Sequence, residues 1–286
     1  MNSQKITIPT PDGYYLKGEL LEPEESSCRK QLVIINGATG VLQGYYRPFA
    51  DFLRQQGFKV LIYDYRGIGQ SQECKYHAPA PTMLHWGERD MDAVLNWVKS
   101  EYPDYRIHGV GHSIGGQLMG ALPDNNRYDS FLGVASQHIY WRNWPSFSTR
   151  IKSWFFFRGI LPLFHKSIGH LPAWVLGSEK LPKGVIRDWG RFGGSSAYLS
   201  DEKGQPIRSG FHNYQGRLKL CAVSDDHMFA PENCVRELGK LFTATDGDIH
   251  VLRPEHYQMS RIDHFGYFKK TMNTKAWEEA ADWLAQ

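Results

Sequence analysis

Six strand-like runs, spaced by stretches long enough for helices, constrain this chain more than any other feature. They are Gln31–Ile35, Phe58–Tyr63, Arg106–Val110, Phe131–Ala135, Leu218–Val223 and Ile249–Leu252. Several are apolar without interruption, as in strands covered on both faces, rather than alternating as in a half-exposed sheet. Helical spacing fills intervals at Arg47–Gln56, which stops at Gly57, and at Trp86–Tyr102, where Met91, Val94, Leu95 and Val98 share a face. Ser113–Leu122, Pro231–Leu241 and Thr274–Leu284 read the same way. This alternation predicts a mostly parallel central sheet with helices on both faces. Ligands then bind beyond the carboxyl ends of the strands, so chemistry is to be sought in the residues that follow each strand.

The alternation is broken in two places. Lys5–Pro9 and Tyr14–Leu21 flank the turn Pro11-Asp12-Gly13 and predict an antiparallel hairpin ahead of the first parallel strand. Between Ala135 and Leu218 it stops altogether, and residues 141–210 carry Trp141, Trp144, Trp154, Trp174 and Trp189 with many Phe and Gly. A helical cap (lid) insertion at 141–210, within one α/β core made of residues 1–140 and 211–286, accounts for this better than a second domain. Its aromatics suit either a small core of its own or an apolar wall over the strand ends.

Composition narrows the partners. A net charge of +3 with no run of like charges gives no basic stripe for nucleic acid. The opening Met1-Asn2-Ser3-Gln4-Lys5 lacks the apolar core of a secretory signal. Arg158 and Pro162 interrupt the aromatic run Trp154–Phe164, well short of the roughly 20 apolar residues of a membrane span. The expectation is a cytoplasmic protein without stable membrane insertion, with Cys28, Cys74, Cys221 and Cys234 as free thiols. No G-x-x-x-x-G-K-[ST] loop is present, and His165 and His170 do not share a helical face, so neither cofactor nor metal is expected.

Gly111-His112-Ser113-Ile114-Gly115 falls between a predicted strand and a predicted helix. G-x-S-x-G at such a junction makes a sharp turn, with the serine in a strained backbone conformation and small residues letting neighbouring chain pass close. A helix starting there directs N–H groups and a partial positive charge toward an oxygen that becomes negative. A dinucleotide-binding reading of Gly109-Val110-Gly111 fails, because it needs glycine where Ile114 stands and an acidic residue at the next strand end. Gln31–Ile35 runs into a second loop, Asn36-Gly37-Ala38-Thr39-Gly40. With this layout the expected oxyanion donors are the backbone amides of Ala38 and Ile114.

These two loops, with Tyr63-Asp64-Tyr65-Arg66-Gly67-Ile68-Gly69-Gln70-Ser71 between them, resemble the α/β-hydrolase superfamily. Within it, the sequence is similar to the serine aminopeptidase-like and lysophospholipase-like hydrolases. D-Y-R-G-x-G-x-S is a family hallmark, and the three motifs stand in the family's order. The resemblance covers roughly residues 5–135 and 215–285. It departs at Asn36, where many relatives carry histidine, and the insertion matches nothing in it.

The resemblance implies an α/β-hydrolase fold with Ser113 as nucleophile and the chain order serine, acid, histidine. Relatives place the acid in the loop Ser224–Ala230, just before Pro231; Asp226 is favoured, and Asp225 is then a solvated or turn residue. His264, in Asp263-His264-Phe265-Gly266-Tyr267-Phe268, resembles the family's H-x-G-F-F run and is favoured as base over His256. His227 and His112 fit no triad position and are expected to line the pocket or fill space. The implied activity is a cofactor-free serine hydrolase of a small-molecule acyl substrate, foremost a carboxylesterase of small to medium acyl chains working through an acyl-enzyme. An aminopeptidase or amidase would need an acidic anchor for the substrate amine, such as Asp188 or Glu179. An acyltransferase and a non-catalytic ligand-binding member complete the readings.

Overall fold

The structure, a computed structural model, describes residues 3–72, 80–176 and 179–286. Ser3–Pro9 (β1) and Tyr15–Leu21 (β2) form the expected antiparallel hairpin. Gln31–Asn36 (β3), Lys59–Tyr63 (β4), Arg106–His112 (β5) and Ser130–Val134 (β6) follow. His170–Leu171 (β7) and Leu181–Pro182 (β8) pair only with each other, and Arg217–Val223 (β9) and Asp248–Leu252 (β10) return to the main sheet. The sheet runs β1-β2-β4-β3-β5-β6-β9-β10. All neighbours from β4 to β10 are parallel, while β2 meets β4 antiparallel. Every residue of β3, β4 and β6 is buried, which is why their sequences show no alternation.

Strand order fixes where a ligand can sit. From β3 the chain passes through Arg47–Gln55 (α1) to β4 on one side. It then returns through Met83–His85 (α2) and Asp92–Glu101 (α3) to β5 on the other side of β3. Parallel crossovers are right-handed, so this reversal puts α1 and α3 on opposite faces of the sheet and opens a crevice between the ends of β3 and β5. Asn36 stands opposite Gly111 in register, so the loops after these two strands emerge side by side.

The D-Y-R-G segment after β4 holds this end of the sheet together. Asp64 accepts from the Gln43 and Gln70 backbone N–H groups at 2.7 and 3.0 Å. The buried Arg66 reaches Asp90 at 2.6 Å and Asp12, in the β1–β2 turn, at 2.7 Å. The helix expected from Trp86 begins earlier, at Met83 capped by Thr82, and relaxes into a π-helical stretch at Trp86–Met91 before α3. That stretch lets Trp86 donate to the Arg66 carbonyl while Asp90 faces the guanidinium. The helix after Ser113 is also shorter than expected, spanning Ile114–Gln117 (α4) with a 3-10 turn at Leu118–Gly120. Gly115, Gly116 and Gly120 lower its helix propensity in exchange for close packing.

Between β6 and β9 the chain leaves the sheet. Phe147–Phe155 (α5), a π-helical turn at Phe156–Ile160 and Leu161–Ser167 (α6) run on without a break. Pro162 has no N–H and crowds the Arg158 carbonyl, and the π turn absorbs that mismatch. Ala173–Leu176 (α7) and Lys183–Gly194 (α8) follow, with Trp144, Phe157, Leu161, Val185, Ile186 and Phe192 buried, and Ser209–Asn213 (α9) leads back to the sheet. Glu232–Gly239 (α10), Asp263–Gly266 (α11) and Thr274–Ala285 (α12) belong to the core, where Trp277 of α12 packs on Phe49 of α1 at 5.6 Å between ring centroids. Cys28, Cys221 and Cys234 are unpaired; Cys74 lies outside the described residues. Among the described residues, no helix is long and apolar enough to cross a membrane.

Candidate active site

Ser113 follows β5 with φ +51° and ψ −113°, in the left-handed region that non-glycine residues enter at a cost of about 1–3 kcal/mol. Neighbouring chain sustains it. The Ser113 N–H donates to the Val134 carbonyl of β6 at 3.0 Å, and Gly116 turns back to the Ser113 carbonyl. The motif glycines are required sterically: a Cβ on Gly115 would lie 2.1 Å from the Asn36 carbonyl oxygen, and one on Gly111 would lie 2.5 Å from the Gly116 nitrogen. Asn36, in place of the histidine of many relatives, accepts from Tyr63 Oη at 2.8 Å and donates to the Val110 carbonyl, so its side chain ties β3 to β4 and β5.

The structure brings His264 and Asp226 together. His264 Nδ1 lies 2.6 Å from Asp226 Oδ2, both side chains being buried, and Asp226 Oδ1 accepts from the Phe229 N–H at 3.0 Å. Asp225 has a different task. Its two carboxylate oxygens accept from the Ile262 and Asp263 N–H groups at 3.0 Å each, holding the backbone that leads into His264. Asp263 is itself at φ +51°, so Asp225 clamps a strained turn. His256 is exposed on a 3-10 turn and does not reach the site, whereas His227 lines its mouth. No hydrogen bond joins Ser113 Oγ to His264 Nε2 in this structure, although both residues line the same cavity. Such contacts commonly tighten only with substrate in place.

Sequence reasoning missed a buried relay beneath this pair. His112 Nε2 lies 2.9 Å from the His264 carbonyl oxygen, and His112 Nδ1 lies 2.9 Å from Tyr46 Oη. A carbonyl only accepts, so His112 carries its proton on Nε2 and its Nδ1 accepts from the tyrosine hydroxyl. Burial, assisted by the nearby His264, holds His112 well below the usual imidazole range, so the ring is neutral. Tyr46 Oη in turn accepts the Ala38 N–H at 2.7 Å. The Ala38 amide expected at the oxyanion position is therefore already engaged, because Tyr46 folds under the loop and satisfies a buried N–H that would otherwise be orphaned. Ile114, at the head of α4, is not so engaged: the first N–H groups of a helix lack intrahelical acceptors.

The cavity over Ser113 has a volume of about 580 Å³. Ala38, Thr39, Ser113, Gln117 and Gln137 form the end against the sheet, and Trp144, Phe156, Phe157 and Trp189 of the insertion form an apolar wall. Among the described residues lining it, Lys152 is the only one with a fixed charge and none is acidic. Asp188 does not reach this cavity: it is buried elsewhere, against the Leu84 N–H and the Arg187 and Arg191 guanidinium groups. Glu179 does not line the cavity either, its backbone N–H donating to Gly40. The insertion's aromatics divide three ways, into its own core, the cavity wall and an exposed set on α5–α7.

Residues 26–188 match the family described as serine aminopeptidase, S33. Monoglyceride lipase of Rattus norvegicus is 28% identical over 107 residues, which are 37% of this chain and 34% of the lipase, so the match spans about a third of the lipase's length. Among solved structures, an esterase of Thermogutta terrifontis superposes with a TM-score of 0.64 at 11% identity, covering 98% of each chain. An esterase of Pyrococcus furiosus superposes with a TM-score of 0.62 at 18% identity, covering 99% of this chain and 92% of its own. The structural likenesses establish the fold, and the sequence match, which takes in more than half the residues with both glycine-containing loops and the D-Y-R-G run, establishes the lineage. The chain belongs to the serine aminopeptidase S33 family of α/β hydrolases.

Proposed function

We propose that the protein is an ester hydrolase that uses Ser113, His264 and Asp226 on uncharged carboxylic esters of small to medium acyl chain. The observation that carries this reading is the 2.6 Å His264–Asp226 pair in the wall of the cavity that Ser113 also lines. An ionised carboxylate only accepts, so His264 keeps its proton on Nδ1 and leaves Nε2 bare. Nε2 takes the Ser113 Oγ proton as that oxygen attacks the acyl carbonyl, and Asp226 stabilises the imidazolium. The imidazolium then gives its proton to the departing alcohol, leaving the acyl group esterified to Ser113. Water, deprotonated by the same nitrogen, releases the acid and restores the serine.

The Ile114 amide supplies one oxyanion donor, and the Ala38 amide supplies the second by sharing its proton between Tyr46 Oη and the oxyanion. Residues 141–210 act as the cap over this site, and the aromatic wall takes the acyl chain. An aminopeptidase must hold a substrate ammonium, and the cavity offers that group Lys152 and no carboxylate among its described residues, which favours the ester. Turnover of p-nitrophenyl esters against aminoacyl anilides separates the two, esters being the faster. Ser113→Ala is expected to abolish both turnover and labelling by a fluorophosphonate; a variant that keeps near-wild-type turnover rules the mechanism out.

A further inference from the structure

Helix α5 is inside out. Phe147, Ile151, Trp154 and Phe155 stand at i, i+4, i+7 and i+8, the spacing of a single helical stripe. That stripe faces solvent, with exposures of 78, 48, 46 and 56%. The opposite side of the helix, Thr149, Lys152 and Ser153, is polar and lines the cavity. Leu163 of α6 (64%), Ile168 (49%) and Trp174 of α7 (77%) extend the exposed apolar set along the insertion. Single exposed apolar residues are ordinary on a protein surface; a run of them on consecutive helices marks a contact site.

Charge identifies what is contacted. Residues 141–176 contain Arg142, Arg150, Lys152, Arg158 and Lys166, all exposed, and no acidic residue. Across 141–210 there are eleven lysines and arginines against four acidic residues, a net +7 in a chain of net +3. The remainder is therefore net negative, and the molecule is polarised with its basic end on the cap. An apolar helical stripe bordered by basic residues suits a surface of negatively charged lipid headgroups, into which the aromatics insert while the cations stay at the headgroup level. A second copy of the same face is disfavoured, because it would bring two sets of unopposed cations together. Phe155, Met228 and Phe229 are exposed and also line the cavity, so the apolar patch is continuous with its mouth.

We propose that the α5–α7 face of the cap docks on anionic membrane surfaces and sets the cavity mouth against the bilayer, so that lipid-borne esters enter without crossing water. The docking rests on the cap alone; only the entry of an ester rests on the function proposed above. The test is co-sedimentation of the full chain with vesicles of phosphatidylcholine alone and of phosphatidylcholine mixed equally with phosphatidylglycerol. Each cation near an anionic surface contributes about 1 kcal/mol, so binding to the mixed vesicles is expected to be at least about tenfold tighter and to fade with added salt. Phe147→Ser with Ile151→Ser, both outside the cavity lining, is expected to abolish binding while turnover of a water-soluble p-nitrophenyl ester stays unchanged. Arg158→Glu with Lys166→Glu is expected to remove the preference for anionic lipid. Ser113→Ala is expected to bind as the wild type does, which separates failure of docking from failure of the catalytic reading. Wild-type protein that ignores both vesicles, or binding that survives both double variants, overturns the proposal. So does an oligomer that dissociates when Phe147 and Ile151 are replaced by serine, since the stripe would then be a protein interface.

Discussion

Removing one buried oxygen, by Tyr46→Phe, tests whether the relay beneath the site supports structure or chemistry. Tyr46 Oη accepts from the Ala38 N–H at 2.7 Å and donates to His112 Nδ1 at 2.9 Å, and both tyrosine and histidine are almost wholly buried. The variant leaves one donor and one acceptor unpaired without changing the packed ring. Each such group costs about 1–3 kcal/mol, so the loss is roughly 2–6 kcal/mol, lowering Tm by on the order of 10 °C in a chain of this size. Activity is expected to behave differently. His264, Asp226 and the Ile114 amide are untouched, and the Ala38 N–H keeps its share in the oxyanion, so kcat for a p-nitrophenyl ester is expected to stay within about tenfold of wild type. Loss of a true oxyanion donor costs about 10²–10³ in kcat. A folded variant with kcat lowered about a hundredfold or more at unchanged KM would refute this, by placing the tyrosine hydroxyl in the chemistry. An unchanged Tm would refute the assigned hydrogen bonds.

The two aspartates of one loop are predicted to fail in different ways. Asp226→Asn lets His264 take the wrong tautomer and is expected to lower kcat by about 10⁴ with little change in Tm. Asp225→Asn loosens the backbone before His264 and is expected to lower Tm first; steady-state kinetics and thermal melts on both variants check the division. Acid is predicted to destabilise the fold through its buried histidines. Burial is the largest cause holding His108 and His138 at about 4, below the ordinary imidazole value, so the unfolded chain binds more protons than the folded one below about pH 6.5. Stability is thus complete above that pH and falls toward about pH 4, by roughly 1 kcal/mol per unit for each histidine. Urea unfolding midpoints measured from neutral pH to about pH 5 should decline, and a flat profile would count against neutral buried histidines.

What was legible in the sequence follows from how local its signals are. The apolar runs Leu32–Ile35 and Val60–Tyr63 marked β3 and β4 because a strand covered on both faces shows no polar alternation. The pairing of Asp226 with His264 was legible because each follows a strand in the family's order, and the two do meet at 2.6 Å beside the cavity that Ser113 lines. The relay was not legible: Tyr46, His112 and the His264 carbonyl lie 66 and 152 residues apart, and no local pattern announces such pairing. The engagement of Ala38 followed from the same gap. α5 was illegible for the opposite reason, since a cluster of Trp and Phe looks the same whether the fold buries it or exposes it.

The bond from the Ser113 amide to Val134 has a consequence for the order in which the protein is made. A ribosome delivers Ser113 before the strand that holds its elbow, and about 150 residues before His264. The Val134 carbonyl cannot hold the elbow until β6 has paired with β5, and the base proposed for the serine, His264, is not in place until β9 has been laid beside β6 and the chain beyond it has folded back over β5. On the proposed function, a nascent chain therefore carries Ser113 in an inert state through most of synthesis, and arming comes with closure of the sheet.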